Sequence, residues 1–249
     1  MKYATGNKIF SGVRYSLCAI IFFAALFFSS GTSAQIRKVQ NIPKYDKQRI
    51  HFGFALGFNS PDFRITLVPN FRTVDSVYSI ESQPQFGFLL GIISNLRLHE
   101  YFDLRFVPIL TFSQRNLLYS MNNSLNGIRI PVTKKVESTF LEFPLMVKYK
   151  SKRINNYRFY VLGGAKYSLD LVSQAKVEES DKQPVRLVPF DYGYEIGCGF
   201  DFYLPYFKFA MEIKMYQGIN NLLVKDELIY SRALDKLNSQ IFYLSFLFE

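Results

Sequence analysis

Thr139–Lys150 reads TFLEFPLMVKYK, and the solvent that each of its two faces meets decides the fold. Leu141, Phe143, Leu145, Val147 and Tyr149 alternate with Glu142, Pro144, Met146, Lys148 and Lys150. A period of two places the first set on one face of a strand and the second on the other. After the polar stretch Ser151–Asn156 the alternation resumes in Tyr157–Leu169, YRFYVLGGAKYSL. There Phe159, Val161, Ala165 and Tyr167 oppose Arg158, Tyr160, Lys166 and Ser168. Two amphipathic strands joined by a short polar turn form an antiparallel hairpin.

The same reading extends in both directions. It predicts strands at Ile50–Phe58, Phe86–Leu96 and Phe102–Arg115 before the hairpin, and at Phe190–Tyr203, Phe207–Gln217 and Ile241–Glu249 after it. The chain is therefore predicted to be all-β, with eight strands and a single domain over residues 50–249. Connections alternate in length. Asn59–Gln85, Asn116–Ser138, Asp170–Pro189 and Gly218–Asn238 are long and polar, whereas Arg97–Tyr101, Ser151–Asn156 and Leu204–Tyr206 are short.

Alternation alone fits a soluble sandwich as well as a membrane barrel, and three features separate them. An eight-stranded barrel has an interior just wide enough to be filled by side chains. The chain carries 26 Phe and 17 Tyr, and turning them all inward would overfill that space. Gly53, Gly57, Gly87, Gly91, Gly164, Gly193, Gly197 and Gly199 all fall on the face opposite the Phe residues. Glycine weakens a strand, but it makes room in a crowded lumen. Long loops at one end and short turns at the other match the form of outer-membrane barrels. The reading is an eight-stranded antiparallel transmembrane β-barrel with long extracellular loops and short periplasmic turns. Its polar face becomes the lumen, where Asp103, Glu142, Asp191, Glu195, Asp201 and Glu212 meet Arg105, Lys148, Lys166, Lys208 and Lys214. A nearly balanced set of charges predicts a plugged, salt-bridged interior rather than an ion-selective pore.

Residues 1–34 have the layout of a secretory signal peptide: a basic start, the apolar run Leu17–Phe28, then SSGTSA before Gln35. The apolar run is shorter than the ~20 residues of a helical span, so cleavage after Ala34 is expected rather than anchoring. Cys18 lies inside that run. A cleaved chain would keep Cys198 alone and form no internal disulfide. Residues 35–49 are basic, contain Pro43 and show no period, so they form a periplasmic N-terminal arm in this reading.

The net charge of +10 does not point to nucleic acid, because the basic residues are scattered among 20 acids and form no basic run. His51 and His99 are the two histidines of the chain and do not converge in the predicted topology. The carboxylates Glu178, Glu179, Asp181, Asp226 and Glu227 sit in polar loops beside lysines. No catalytic group, metal or cofactor is expected.

Several segments carry a family resemblance. FLEFPLMVKYK (140–150), FYVLGGAKYSL (159–169) and FDYGYEIGCGFDFYL (190–204) follow in an order that resembles the PorT-type outer-membrane β-barrel family of Bacteroidetes. HFGFALGFNSPDF (51–63) is similar to that family's opening strand. The resemblance implies a component of type IX protein secretion, with gliding motility in some members, and it transfers no catalytic or binding residue. Eight strands are too few to conduct a folded cargo, so the implied role is accessory. Expected partners are outer-membrane lipid and other secretion-system proteins, met at the periplasmic face or the outer loops. The alternative is a generic small outer-membrane barrel with a structural, adhesive or binding role.

Overall fold

The computed structural model describes residues 40–69, 77–122, 129–171, 187–224 and 234–249. The leader, arm residues 35–39 and the five loop carboxylates named above lie outside this set. The described residues form ten strands: β1 Ile50–Leu67, β2 Val77–Pro84, β3 Gly87–Arg97, β4 Phe102–Phe106, β5 Ile109–Asn122, β6 Arg129–Lys150, β7 Tyr157–Asp170, β8 Phe190–Tyr203, β9 Lys208–Gly218 and β10 Leu234–Phe248. All pairings are antiparallel.

Ten strands reduce to eight staves. β4 and β5 hold one register against β6 and one against β3, as a single interrupted strand would. The break falls at Val107–Pro108, and Val107 N–H donates to the Pro144 carbonyl across it. Pro108 and Pro144 each lack the N–H that an unbroken ladder needs. β2 and β3 are also one stave, bent where the step from Pro84 to Phe88 opposes the shorter step from Arg115 to Phe112. One extra residue in one strand is a β-bulge. Each stave pairs with the next, and β1 pairs with both β10 and β3, so the ladder returns on itself.

Side-chain burial follows the predicted alternation. Along β1, Phe52, Phe54, Leu56 and Phe58 point outward and are exposed; Phe52 keeps 69% of its surface. Ile92 on β3 and Ile213 on β9 keep 67% and 63%. Apolar exposure on this scale around the whole wall has no place in water, but it suits lipid. Along β8 the outward residues run from Phe190 to Phe202. The ten-residue step from Tyr192 to Phe202, at ~3.3 Å per residue and a tilt near 45°, spans about the ~25 Å of an outer-membrane apolar band.

The structure corrects the extent of the loops. Asn59–Leu67, Val77–Pro84, Asn116–Asn122 and Arg129–Ser138 are strand rather than irregular connection. β6 is 22 residues long, about twice the ~9–11 residues that cross a bilayer. These extensions enclose a core of their own from Phe63, Ile80, Leu117, Tyr119, Leu222, Leu223, Leu234 and Leu237.

Candidate functional site: a filled lumen and a capped turn end

Inward positions of β4 and of β6 to β9 carry most of the charges, while β1, β3, β5 and β10 contribute Ala55, Leu89, Ile93, Ile109, Tyr243 and Leu247 to an apolar inner wall. Near the short turns, Lys148 Nζ sits 3.0 Å from Asp201 Oδ1 and lies over the Tyr160 ring. Arg105 donates to Glu212 and, at 3.1 Å, to Glu249. Tyr160 Oη donates to Glu212 at 2.6 Å. Asp103 accepts from Lys150 at 2.5 Å and from the Asn95 amide at 3.0 Å. Lys208 donates to Glu249 at 2.6 Å.

Further from the turns, Lys166 bridges Glu142 at 3.2 Å and Glu195 at 3.5 Å, and Lys214 meets Glu195 at 3.0 Å. Tyr243 Oη accepts from Lys166 and donates to Glu142 at 2.8 Å. Asp191 is buried but stands outside these ion pairs, close to Gly218. Ten of the eleven predicted lumen charges thus join ion pairs, with Asp191 apart. Burying charges is costly unless each is paired and hydrogen-bonded, and this interior meets that condition with few exceptions. Arg115 is the largest: it is buried between the Phe63 and Phe140 rings and donates to Ser239, while Nε and Nη1 find no protein acceptor.

Alternation did not single out the residues that cap the turn end. A 3-10 turn at Tyr45–Lys47 lies across it. Tyr45 stacks on His51, with ring centroids 4.0 Å apart, and its hydroxyl donates to Glu249 at 2.7 Å. Asp46 accepts from Arg158 at 2.9 Å and from the Tyr203 hydroxyl at 3.0 Å, and it also meets Arg153. Burial pushes the Asp46 carboxyl up, but the Arg158 charge, the Tyr203 hydroxyl and Arg153 outweigh it and hold the carboxyl below its ordinary value. Asn41 bonds to Asn156 and to the Tyr203 carbonyl, both at 2.9 Å. Non-periodic sequence gave no sign of this docking, since each contact is long-range and polar.

His51 Nε2–H donates to the Tyr45 carbonyl at 2.8 Å. Among the described residues, no three of His, Cys, Asp and Glu cluster as a metal site would need. Cys198 is a free thiol on the outer wall.

An outer wall of exposed phenylalanines around an ion-paired lumen is the architecture of one broad class of membrane protein. The profile of the Outer membrane protein beta-barrel domain matches residues 33–224. The chain belongs to that family. Its short connections, and with them the Tyr45–Lys47 cap, lie at the end that outer-membrane β-barrels generally turn toward the periplasm.

Solved structures similar to this barrel include OprG from Pseudomonas aeruginosa, at 14% identity and a TM-score of 0.37 over 80% of this chain and 91% of that one. Neisserial surface protein A (NspA) is 9% identical, with a TM-score of 0.40 over 80% of this chain and 98% of that one. Ail of Yersinia pestis is 11% identical, with a TM-score of 0.34 over 81% and 99%. No curated protein matches the chain.

Proposed function

We propose that this protein is a non-conducting, non-enzymatic outer-membrane barrel that serves type IX protein secretion as an accessory component, and gliding motility where the host glides. The filled lumen carries this reading. Arg105–Glu212 reaches from β4 to β9, Lys166 reaches from β7 to the Tyr243 hydroxyl on β10, and Lys148–Asp201 joins β6 to β8, so that together they fill the space that a permeant would need. A barrel that passes nothing acts through its surfaces, by docking or stabilising a larger assembly. The link to type IX secretion is supported by the resemblance of segments 51–63, 140–150, 159–169 and 190–204 to PorT-type barrels. In this reading residues 1–34 are an export signal, residues 35–49 a periplasmic arm, and the outer wall is solvated by outer-membrane lipid.

The test is deletion of the gene in its own host. Type IX cargo trapped unprocessed in the periplasm, and released again by the intact gene, is the expected result. Cargo that reaches the surface normally would remove the secretion role. The long extensions with their own apolar core favour a second reading, a barrel that presents a binding or adhesive surface outside the cell. It would show as lost surface binding with secretion intact.

A further inference from the structure

The arm and the short turns enclose a cleft of about 320 Å³ at the periplasmic end. Lys47, Arg97, Lys150, Lys152, Arg153 and Arg158 line it. Against them stand Asp46 and Glu100, and Asp46 is already held by Arg153 and Arg158. Lys150 is taken up by Asp103. Lys47 and Lys152 are exposed and pair with no carboxylate among the described residues. Arg158, with a side chain 10% exposed, leaves its buried Nε without an acceptor. The cleft therefore has more positive charge than its own acids neutralise, and part of that charge is held rigid by packing.

We propose that this cleft binds an acidic peptide segment of a periplasmic partner, through carboxylates. Charge complementarity sets the sign of the ligand. The cleft is lined by residues of the arm and the short turns and opens on the end of the barrel rather than on the lipid-facing wall of Phe102, Tyr149, Tyr157 and Phe159, which favours a ligand arriving from the aqueous side over a lipid headgroup. Pro43 and Tyr101 on its rim offer apolar contact to a peptide, which a bare anion would not use. Arg37 and Lys38, which precede Gln40 in the sequence, carry the same sign of charge as the cleft. The proposal stands whether or not the barrel serves secretion.

The experiment uses the full chain refolded in lipid nanodiscs and a fluorescent hexaglutamate peptide, read by anisotropy at low and at physiological salt. Saturable binding that weakens with salt is expected, with hexaglutamine inert. The double variant Lys47→Glu/Lys152→Glu, which touches none of the lumen pairs, should weaken binding by roughly tenfold or more, since both substitutions reverse a charge facing the ligand. Unchanged electrophoretic heat-modifiability of the variant shows that the barrel is intact. The neutral pair Lys47→Gln/Lys152→Gln should fall between. Absence of saturable binding, or equal binding by the charge-reversed variant, overturns the site. Displacement of the peptide by inorganic phosphate more readily than by free glutamate overturns the peptide assignment in favour of a phosphate site.

Discussion

Lys148 on β6 and Asp201 on β8 reach past the intervening β7 and meet inside the barrel, Nζ to Oδ1 at 3.0 Å. Neither side chain retains more than a trace of exposure. The pair ties together two staves that share no backbone ladder. Single replacement, Lys148→Met or Asp201→Asn, should cost about 3–5 kcal/mol, because it leaves one buried charge uncompensated. The double replacement Lys148→Met/Asp201→Leu should recover most of that loss. Urea unfolding in lipid vesicles, followed by far-ultraviolet circular dichroism because the chain has no Trp, measures both. Equal cost in the single and double variants would show that the pair is not coupled.

A lumen crossed by ion pairs should not conduct. The refolded protein in a planar lipid bilayer is expected to show no stepwise current in molar salt. Long-lived openings in the unmodified protein would contradict the filled interior. Arg105→Ala/Glu212→Ala removes one crossing pair, and brief openings are expected from that variant alone.

Gly163 and Gly164 are neighbours with opposite demands. A Cβ on Gly164 would press on the Leu145 carbonyl and lie 2.7 Å from Met146 Cα, whereas one on Gly163 would find its nearest neighbours at 3.8 Å. Gly164→Ala should destabilise by about 1–3 kcal/mol, the usual penalty for overpacking, and Gly163→Ala should be tolerated. The comparison is read from the same urea transitions. A larger effect at Gly163 would reverse the inside and outside of β7.

Docking of the arm should depend on acid. The Asp46 carboxyl titrates below its ordinary value when docked. Its ion pairs therefore contribute fully above the undocked pKa of about 3.9, and the contribution is lost as pH falls through the lower docked value. Cleavage near Lys44 by an acid-tolerant protease should accelerate below about pH 4. Asp46→Asn should accelerate cleavage at neutral pH as well. An arm equally resistant at both pH values would show that Asp46 does not hold it.

The eight staves were legible where the membrane imposes one polarity on each face. Phe190–Tyr203 shows this best, since its alternation is unbroken and its predicted ends agree with β8. The extensions were not legible because the polarity of the two faces changes along a strand. In β5, Thr111, Ser113 and Arg115 point inward, followed on the same face by Leu117 and Tyr119. Outside, Phe112 gives way to Gln114 and Asn116. The backbone continues unchanged, but the outer surface now meets water and the inner one has lost its ion pairs. A window that expects a constant apolar side reads such a segment as polar loop. The prolines at 61 and 84 reinforced that reading although both lie within strands. The arm was hidden for a different reason: Asp46 finds Arg153, Arg158 and Tyr203 only after the barrel has brought them together.

That arm also sets an order of events. Asn41 and Asp46 bind groups near residues 153–158 and at Tyr203, and Tyr45 binds Glu249 beyond the last stave. The segment at the start of the described chain therefore has its full seat only once the first, middle and last staves stand together. Ile42 holds a left-handed backbone at φ 46 directly before Pro43, a conformation costing about 1–3 kcal/mol that persists only when its surroundings enforce it. A half-inserted barrel would leave the arm relaxed and reachable, and a completed one would withdraw it. The docked arm is thus a readable mark of finished assembly.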